Sequence, residues 1–115
     1  MNELLNKSVV NSSELIALLE LREKGEADFI LVDVREQMEH DRRHIKGVDM
    51  LKPTSLFQSW GEAFLNENRD KTVIFTCRTD YRSGNIQRAF QENGMKNVLN
   101  HSGGIVSYRG EISKA

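Results

Sequence analysis

Apolar residues along the chain fall into two alternating patterns. Two short runs, 29-FILVDV-34 and 72-TVIFT-76, carry β-branched side chains and have no consistently polar side. Such runs are typical of strands that are buried on both faces of a sheet. The segment 97-NVLN-100 is a third candidate strand. Between these runs the apolar residues recur about every three or four positions, which predicts helices.

The first helix is predicted over residues 11–24. Asn11 is suited to cap it, Glu14 stands at the capping-box position, and Gly25 is suited to end it. Further helices are predicted over 36–41, over 55–66, over 83–93 with Gly94 as its C-cap, and after the pair Gly103-Gly104. Residues 46–53 are predicted to form a loop with a brief strand. The side chains expected to face the core are Leu15, Leu18, Leu19, Leu56, Trp60, Phe64 and Leu65.

The alternation of strands and helices predicts an α/β fold, with a mostly parallel sheet and helices on both faces. In such sheets ligands bind beyond the carboxyl ends of the strands. A functional residue is therefore expected directly after one of the apolar runs.

Composition narrows the class of protein. The 115 residues suit one domain, 1–115, and 38% hydrophobic with 29% charged residues is typical of a soluble globular protein. The 16 basic residues nearly balance the 17 acidic ones, so no global basic field attracts nucleic acid or an anionic membrane. The first 19 residues lack the pattern of a signal peptide, and no apolar segment reaches transmembrane length.

The chain has one cysteine, Cys77, which can form neither an internal disulfide nor a thiolate metal site alone. We therefore expect no metal and no cofactor. A free thiol favours a reducing compartment, and a cytoplasmic location is expected. Loss of a leader from a periplasmic protein stays open as an alternative.

Cys77 ends the second apolar run, and Arg78 and Arg82 follow it. It lies between a predicted strand and a predicted helix, whose first N–H groups have no partner inside the helix. These amides and the two cations favour the thiolate, the nucleophilic form of cysteine. The competing interpretation is an inert buried cysteine, which is common for an isolated one.

Three segments together resemble rhodanese-like sulfurtransferases. The stretch 77-CRTDYRS-83 is similar to the active-site loop of that family, roughly C-R-x-G-x-R-S. The stretch 31-LVDVREQMEHDRRHIKG-47 resembles its signature L-[IV]-D-V-R-x-x-x-E…H-I-x-G. The stretch 94-GMKNVLNHSGGIVSY-108 resembles its G-[FY]-x-N-V…G-G-x-x-x-[WY] ending. The resemblance covers about residues 8–112.

The resemblance implies a three-layer α/β/α fold with about five strands, and sulfur transfer through a persulfide on Cys77. An anionic donor such as thiosulfate loads the thiolate, and cyanide, a thiol or a protein accepts the sulfur. The residues implied to form the substrate-binding loop are Arg78, Thr79, Asp80, Tyr81, Arg82 and Ser83. Asp33 and Arg35 are expected to support this loop by hydrogen bonds.

Two other functions remain open. One is a sulfur-relay or binding module that a protein persulfide donor loads, with little thiosulfate activity. The other is a phosphatase, which the spacing disfavours. Tyrosine phosphatases use Cys-x5-Arg, and the shorter Cys-x4-Arg from Cys77 to Arg82 suits a single sulfur atom better than a tetrahedral phosphate.

The loop departs from the family pattern at Asp80, where glycine is usual. We expect Asp80 to adopt the positive φ of that glycine and to point to solvent or pair with Arg78. Tyr81 is expected to form one side of the entrance to the site. For Arg82, the alternative to binding the anionic donor is a structural role that ties the loop to its neighbours. His101 is expected near the mouth of the site, where it would tune acceptor access.

A basic cluster lies just before Gly47, at the end of the stretch 31–47. It comprises Arg42, Arg43, His44 and Lys46. We interpret it as a solvated turn, with docking of an acidic partner as the alternative, and expect His44 to be structural.

Overall fold

A central sheet of parallel strands organises the computed structural model, which describes residues 3–114. The strands are β1 (Val9–Val10), β2 (Ile30–Asp33), β3 (His44–Ile45), β4 (Met50–Leu51), β5 (Val73–Thr76), β6 (Val98–His101) and β7 (Ile112–Ser113). Five of them form the sheet in the order β1-β6-β5-β2-β4, and every neighbouring pair is parallel. Strands β3 and β7 form a separate antiparallel pair.

The helices lie in the connections between the strands. They are α1 (Ser12–Glu23), α2 (Gln37–Arg42), α3 (Phe57–Asn68), α4 (Tyr81–Glu92) and α5 (Gly104–Ser107), with 3-10 turns at Glu3–Asn6 and Thr54–Leu56. The predicted capping box begins α1. The Glu14 N–H donates to Asn11 Oδ1 at 2.9 Å, and the Asn11 N–H donates to Glu14 Oε1 at 2.9 Å.

Side chains of β2 and β5 alternate between two cores, one on each face of the sheet. Val32 and Phe75 pack with Trp60, Phe64 and Phe90 of α3 and α4. The second core, on the opposite face, contains Leu15, Leu18, Leu31, Ile74 and Ile105, which come from α1, β2, β5 and α5. The three-layer α/β/α arrangement and the parallel five-stranded sheet are therefore as predicted.

The register places two strand ends side by side. Asp33, the last residue of β2, pairs with Thr76, the last residue of β5. Cys77 follows Thr76, so the cysteine and the D-V-R motif leave the sheet at the same edge. This is the carboxyl edge, where ligand sites form in parallel sheets.

Several boundaries differ from the predicted ones. Helix α4 begins at Tyr81 rather than at residue 83, so Tyr81, Arg82 and Ser83 belong to the helix and not to the loop before it. Leu56 was expected in the core, but its side chain is 55% exposed because it ends a 3-10 turn before α3 starts. The two-residue strands β1, β3 and β7 were not predicted, since two residues carry no periodic signal.

Residues 1, 2 and 115 of the predicted domain 1–115 lie outside the described residues. Within residues 3–114, no helix is both long enough and apolar enough to cross a bilayer.

Candidate active site

Cys77 lies directly after β5, with its side chain buried to 1% exposure. Its Sγ faces the first turn of α4. The Ser83 hydroxyl oxygen lies 3.3 Å from Sγ, and the Ser83 N–H donates to Sγ with an N···S distance of 3.5 Å. The sulfur therefore sits against the positive end of a helix, as the strand-to-helix position predicted.

In the segment that joins Cys77 to α4, the carbonyls of Cys77 and Arg78 accept hydrogen bonds, whereas the amides of residues 79–82 are free of partners within the described chain. The Ile105 N–H donates to the Cys77 carbonyl at 3.0 Å, and the Val106 N–H donates to the Arg78 carbonyl at 3.1 Å. The backbone N–H groups of residues 79–82 find no acceptor among residues 3–114. Successive free amides of this kind form a concave site for an anion.

Asp80 does not take the conformation expected of it. Its φ is −145°, and no residue in the range 3–114 other than glycine has a positive φ. Its Oδ1 accepts a hydrogen bond from the Gly103 N–H at 3.2 Å, so Asp80 pairs with a backbone amide and not with Arg78. The expectation of a left-handed Asp80 is therefore wrong, and its carboxylate connects the loop to the glycine turn.

Arg82 forms a bidentate ion pair with Glu39 of α2. Its two terminal nitrogens donate to Glu39 Oε1 at 2.6 Å and Oε2 at 2.9 Å. These hydrogen bonds lower the pKa of Glu39 to about 2, and Glu39 in turn raises the pKa of Arg82. Arg82 thus links α4 to α2. The Arg78 side chain is exposed, and no carboxylate within residues 3–114 pairs with it.

Asp33 and Arg35 form a buried charge network beside the site. Arg35 donates through Nε and a terminal nitrogen to the Asp33 carboxylate, at 3.0 and 2.8 Å. His40 Nδ1 lies 3.0 Å from the same carboxylate. Arg35 also donates to the Arg43 carbonyl at 2.7 Å. The network fixes α2, and α2 carries the Glu39 that holds Arg82.

Glu39 and His40 are site residues to which the sequence patterns gave no role. Glu39 stands at the acidic position of the D-V-R-x-x-x-E motif, which was the available signal for its pairing with an arginine. His40 had no such signal, because its contact with Asp33 depends on how α2 packs. His44 Nδ1–H donates to the His40 carbonyl at 2.9 Å, and the two rings stack with centroids 3.9 Å apart. Because its ring is held by the backbone of α2, His44 has structural contacts.

His101 is fully buried and does not line the mouth of the site, contrary to expectation. Its Nδ1 lies 2.8 Å from the Thr76 hydroxyl, and its Nε2 lies 2.8 Å from the Ser12 hydroxyl. Burial lowers the pKa of His101 to about 4, and the nearby Asp80 charge opposes this only in part. The neutral ring ties the end of β5, next to Cys77, to the start of α1.

The depressed pKa of His101 predicts an acid-sensitive fold. Between about pH 6.5 and the folded-state value, the unfolded chain binds a proton that the folded chain does not, so stability falls as pH falls. From pH 7 to 5, unfolding free energy should drop by about 2 kcal/mol through this residue. Urea unfolding of wild type and His101→Gln at both pH values measures it. The other titrating groups are common to both proteins. An equal loss of unfolding free energy between pH 7 and pH 5 in the two proteins would contradict the prediction.

The Gly103-Gly104 turn packs against the backbone of the loop that follows Cys77. Gly104 has a φ of +58°, and a side-chain carbon there would overlap the carbonyl oxygens of Arg78 and Thr79. Only glycine therefore lets α5 approach closely enough for its N–H groups to hold the Cys77 and Arg78 carbonyls.

Gly104→Ala should displace the loop and destabilise the fold. We expect a loss of about 3 kcal/mol, from left-handed strain together with backbone overlap. Gly25→Ala is the matched control, because Gly25 also has a positive φ, +77°, but no atom lies within 4 Å of the added carbon. The control should lose only about 1 kcal/mol. Chemical denaturation measures the unfolding free energy of both variants. Equal losses of stability in the two would show that overlap with the loop carbonyls adds nothing to the effect of Gly104→Ala.

The geometry is that of an α/β protein with a buried cysteine at a helix N-terminus beyond the carboxyl edge of its sheet. The profile of the rhodanese-like domain family matches residues 15–111, and the chain belongs to that family. The chain is similar to the putative sulfurtransferase YtwF of Bacillus subtilis, with 33% identity over 98 residues, covering 84% of this chain and 90% of that protein. The predicted membership is thus confirmed.

The chain is also similar to part of a larger protein, the probable adenylyltransferase/sulfurtransferase MoeZ of Mycobacterium tuberculosis. Identity is 35% over 78 residues, which is 68% of this chain but 19% of that protein. This chain therefore corresponds to a small part of MoeZ.

Solved structures share the fold. A rhodanese-related protein of Thermoplasma volcanium gives a TM-score of 0.75 at 20% identity, covering 93% of this chain and 98% of that one. A rhodanese-like domain protein of Staphylococcus aureus gives 0.73 at 20% identity, covering 95% and 99%. Two of these relatives, YtwF and MoeZ, are named as sulfurtransferases.

Proposed function

We propose that this protein is a sulfurtransferase that carries a sulfane sulfur on Cys77. The observation that supports this best is the position of Sγ against the first turn of α4, beside the free amides of residues 79–82. A persulfide is a small anion, and preorganised N–H groups stabilise such a charge. In this proposal Cys77 is the nucleophile, and Ser83 orients its sulfur through the hydroxyl and N–H contacts.

The other loop residues have separate proposed roles. Arg78 attracts the anionic donor, since its guanidinium is exposed and suits an oxyanion. Thr79, Asp80 and Tyr81 supply backbone N–H groups, and the Tyr81 ring, 78% exposed, borders the entrance. Arg82 positions α4 through its ion pair with Glu39 and does not bind the sulfur donor. Asp33 and Arg35 support this arrangement through α2.

Two displacements at sulfur complete the proposed reaction. The Cys77 thiolate attacks the outer sulfur of thiosulfate; a Cys77 S–S bond forms, the donor S–S bond breaks, and its electron pair leaves with sulfite. A thiophilic acceptor then attacks the outer sulfur of the persulfide, and the Cys77 thiolate is regenerated. No external oxidant, metal or cofactor enters either step. The second step needs no general base when the acceptor is already an anion.

A relay function is the second candidate, and the Arg82–Glu39 pair favours it. Arg82 was expected to help bind an anionic donor, but both of its terminal nitrogens are engaged by Glu39. One free cation, Arg78, then remains in the loop for thiosulfate. A protein persulfide donor carries no such oxyanion and does not need the second arginine.

The proposed setting is the cytoplasm, because a free thiol persists in a reducing compartment. The phosphatase alternative ranks lowest. The loop from Cys77 to Arg82 has the shorter Cys-x4-Arg spacing, and Arg82 is held by Glu39 and not aimed at a phosphate.

Intact-mass measurement of the purified protein tests the proposal. Incubation with thiosulfate should add one sulfur atom, which cyanide removes. A parallel incubation with a cysteine desulfurase and cysteine distinguishes the two candidates. Loading by both donors indicates a thiosulfate sulfurtransferase, and loading by the desulfurase alone indicates a relay module. No loading by either donor would overturn both. Hydrolysis of an aryl phosphate would instead support the phosphatase.

A further inference from the structure

A negatively charged side chain lies in the middle of the proposed sulfur-binding loop. Asp80 belongs to the residues 79–82 whose backbone N–H groups have no acceptor within residues 3–114. Its side chain is exposed, and within that range its carboxylate accepts one hydrogen bond, from the Gly103 N–H at 3.2 Å. Because the backbone amide carries no net charge, it orders the carboxylate without neutralising it.

Covalent geometry limits how far this carboxylate can be from a bound anion. Three bonds separate the carboxyl carbon of an aspartate from the amide nitrogen of the same residue, so the two atoms lie about 3–4 Å apart in any rotamer. An anion that accepts a hydrogen bond from that amide lies about 3 Å from the nitrogen. The Asp80 carboxylate is therefore within roughly 7 Å of any anion that the Asp80 N–H holds.

The arginines of the loop do not outweigh this negative charge. Both terminal nitrogens of Arg82 are engaged by Glu39, at 2.6 and 2.9 Å. Arg78 is exposed, and no carboxylate within residues 3–114 forms an ion pair with it. Taken together, the two arginines, Glu39 and Asp80 carry no net charge. Attraction of an anion to the loop therefore depends on the backbone amides and on Arg78, and Asp80 opposes it.

His101, which lies beside the loop, does not balance Asp80. Burial lowers the pKa of His101 to about 4, and the negative charge of Asp80 opposes this lowering only in part. At neutral pH the imidazole is therefore uncharged. The interaction also shows that the Asp80 charge acts on a group buried within the protein, so solvent does not screen it completely.

We propose that Asp80 determines donor specificity by charge, and that it disfavours a dianionic sulfur donor such as thiosulfate relative to a monoanionic one. This inference rests on the proposed sulfur transfer and adds to it a specificity-determining residue and the charge class of the preferred donor. A carboxylate repels a dianion about twice as strongly as a monoanion at the same distance. The effect should therefore appear in the comparison of two donors of different charge.

Methanethiosulfonate is the matched monoanionic donor, because a methyl group replaces one charged oxygen of thiosulfate. With either donor the Cys77 thiolate attacks the outer sulfur, a Cys77 S–S bond forms and the donor S–S bond breaks. The electron pair of the broken bond leaves with sulfite or with methanesulfinate. Charge is conserved in both reactions and no oxidant is needed, and the product on Cys77 is the same persulfide.

Asp80→Asn removes the charge and keeps an oxygen that can accept from the Gly103 N–H. Intact-mass measurement follows the rate of sulfur loading at about 0.01 M salt. In water, one unit of charge at about 7 Å changes the local concentration of a monoanion about threefold and that of a dianion about tenfold. The ratio of the thiosulfate rate to the methanethiosulfonate rate should therefore rise about threefold in Asp80→Asn. Any change in the ionisation of Cys77 affects both donors and cancels in this ratio.

Salt and a distant charge provide the controls. At about 1 M salt the screening length is about 3 Å, so the rate ratio of Asp80→Asn should return to that of wild type. Asp70→Asn is the matched charge removal. Asp70 is exposed and precedes β5, whereas Cys77 follows β5, so about 13 Å of extended strand separates them. This control should leave the ratio nearly unchanged.

A second variant separates the charge of Asp80 from its hydrogen bond. Asp80→Ala removes both the charge and the acceptor of the Gly103 N–H. We expect it to raise the rate ratio as much as Asp80→Asn does. A change in Asp80→Ala without one in Asp80→Asn would assign the effect to the hydrogen bond and overturn the proposal.

The remaining outcomes distinguish this inference from the proposed function. An unchanged ratio in Asp80→Asn, a change that persists at high salt, or an equal change in Asp70→Asn would overturn the role of Asp80 while sulfur transfer stands. If neither donor loads the wild-type protein, the proposed loading of Cys77 by these donors has failed, and the role of Asp80 in donor choice fails with it.

Discussion

Cys77→Ser is expected to gain no sulfur from thiosulfate or from a persulfide donor, while the fold is retained. In the proposed reaction the Cys77 thiolate is the nucleophile, and an alcohol at the same place is not ionised at neutral pH. Oxygen and sulfur differ modestly in size, so the contacts with Ser83 can survive the change. Intact-mass measurement after donor treatment reports the loss, and chemical denaturation reports the fold.

A comparison variant separates the nucleophile from its surroundings. Ser83→Ala removes the hydroxyl that lies 3.3 Å from Sγ but keeps the Ser83 N–H, which donates to the same sulfur. We expect this variant to load with sulfur at a reduced rate, about tenfold slower, because one hydrogen bond to the charged sulfur is lost. Sulfur loading in Cys77→Ser equal to that of wild type would reject Cys77 as the carrier.

Asp33→Ala is expected to lower the unfolding free energy by about 3–5 kcal/mol. Asp33 is 1% exposed and accepts from both Arg35 and His40, so its removal leaves the Arg35 charge buried without its partner. The loss should also reach the active site, because Arg35 holds the helix that carries Glu39. Urea denaturation measures stability, and the rate of donor loading measures the effect on the site.

Lys46→Met is the control for this prediction. Lys46 forms an exposed ion pair with Glu111 at 3.2 Å, with side chains 59% and 79% exposed. Water and salt screen such a pair, and we expect a change below about 1 kcal/mol. If Asp33→Ala cost no more than Lys46→Met, the buried network would not be the feature that fixes α2.

A double variant examines why Asp33→Ala is costly. Asp33→Leu combined with Arg35→Met removes both charges and fills the space with apolar atoms, so it should recover part of the lost stability. Recovery should be incomplete, because the Arg43 carbonyl also loses the hydrogen bond from Arg35. Full loss in the double variant would indicate that the hydrogen bonds to α2, and not the unpaired charge, carry the energy.

Local sequence patterns predicted the elements that are marked by a regular hydrophobic pattern or by a capping motif. The capping box of α1 depends on two residues three positions apart, and both of its hydrogen bonds form as predicted. The strands β2 and β5 are apolar on both faces, which predicted burial from both sides. In contrast, Leu56 fitted a helical stripe but lies in a 3-10 turn and is exposed, since the pattern does not specify where α3 begins.

The charged residues of the site show the limit of such patterns. Arg78 and Arg82 looked alike in sequence, as two cations after a cysteine. In the fold Arg82 binds Glu39, which is 43 positions away, and Arg78 stays exposed. Asp80 was expected to replace a left-handed glycine, but it has a negative φ and pairs with Gly103 across the glycine turn.

The sequence by itself determined the α/β class, the position of Cys77 between a strand and a helix, and the motifs that mark the family. These features depend on periodicity, capping and spacing, which act over a few neighbouring residues. Only the tertiary structure decided that Arg82 is a structural partner of Glu39 and that His101 is buried. Each of these depends on contacts or exposure between segments far apart in the chain, and no local pattern encodes them.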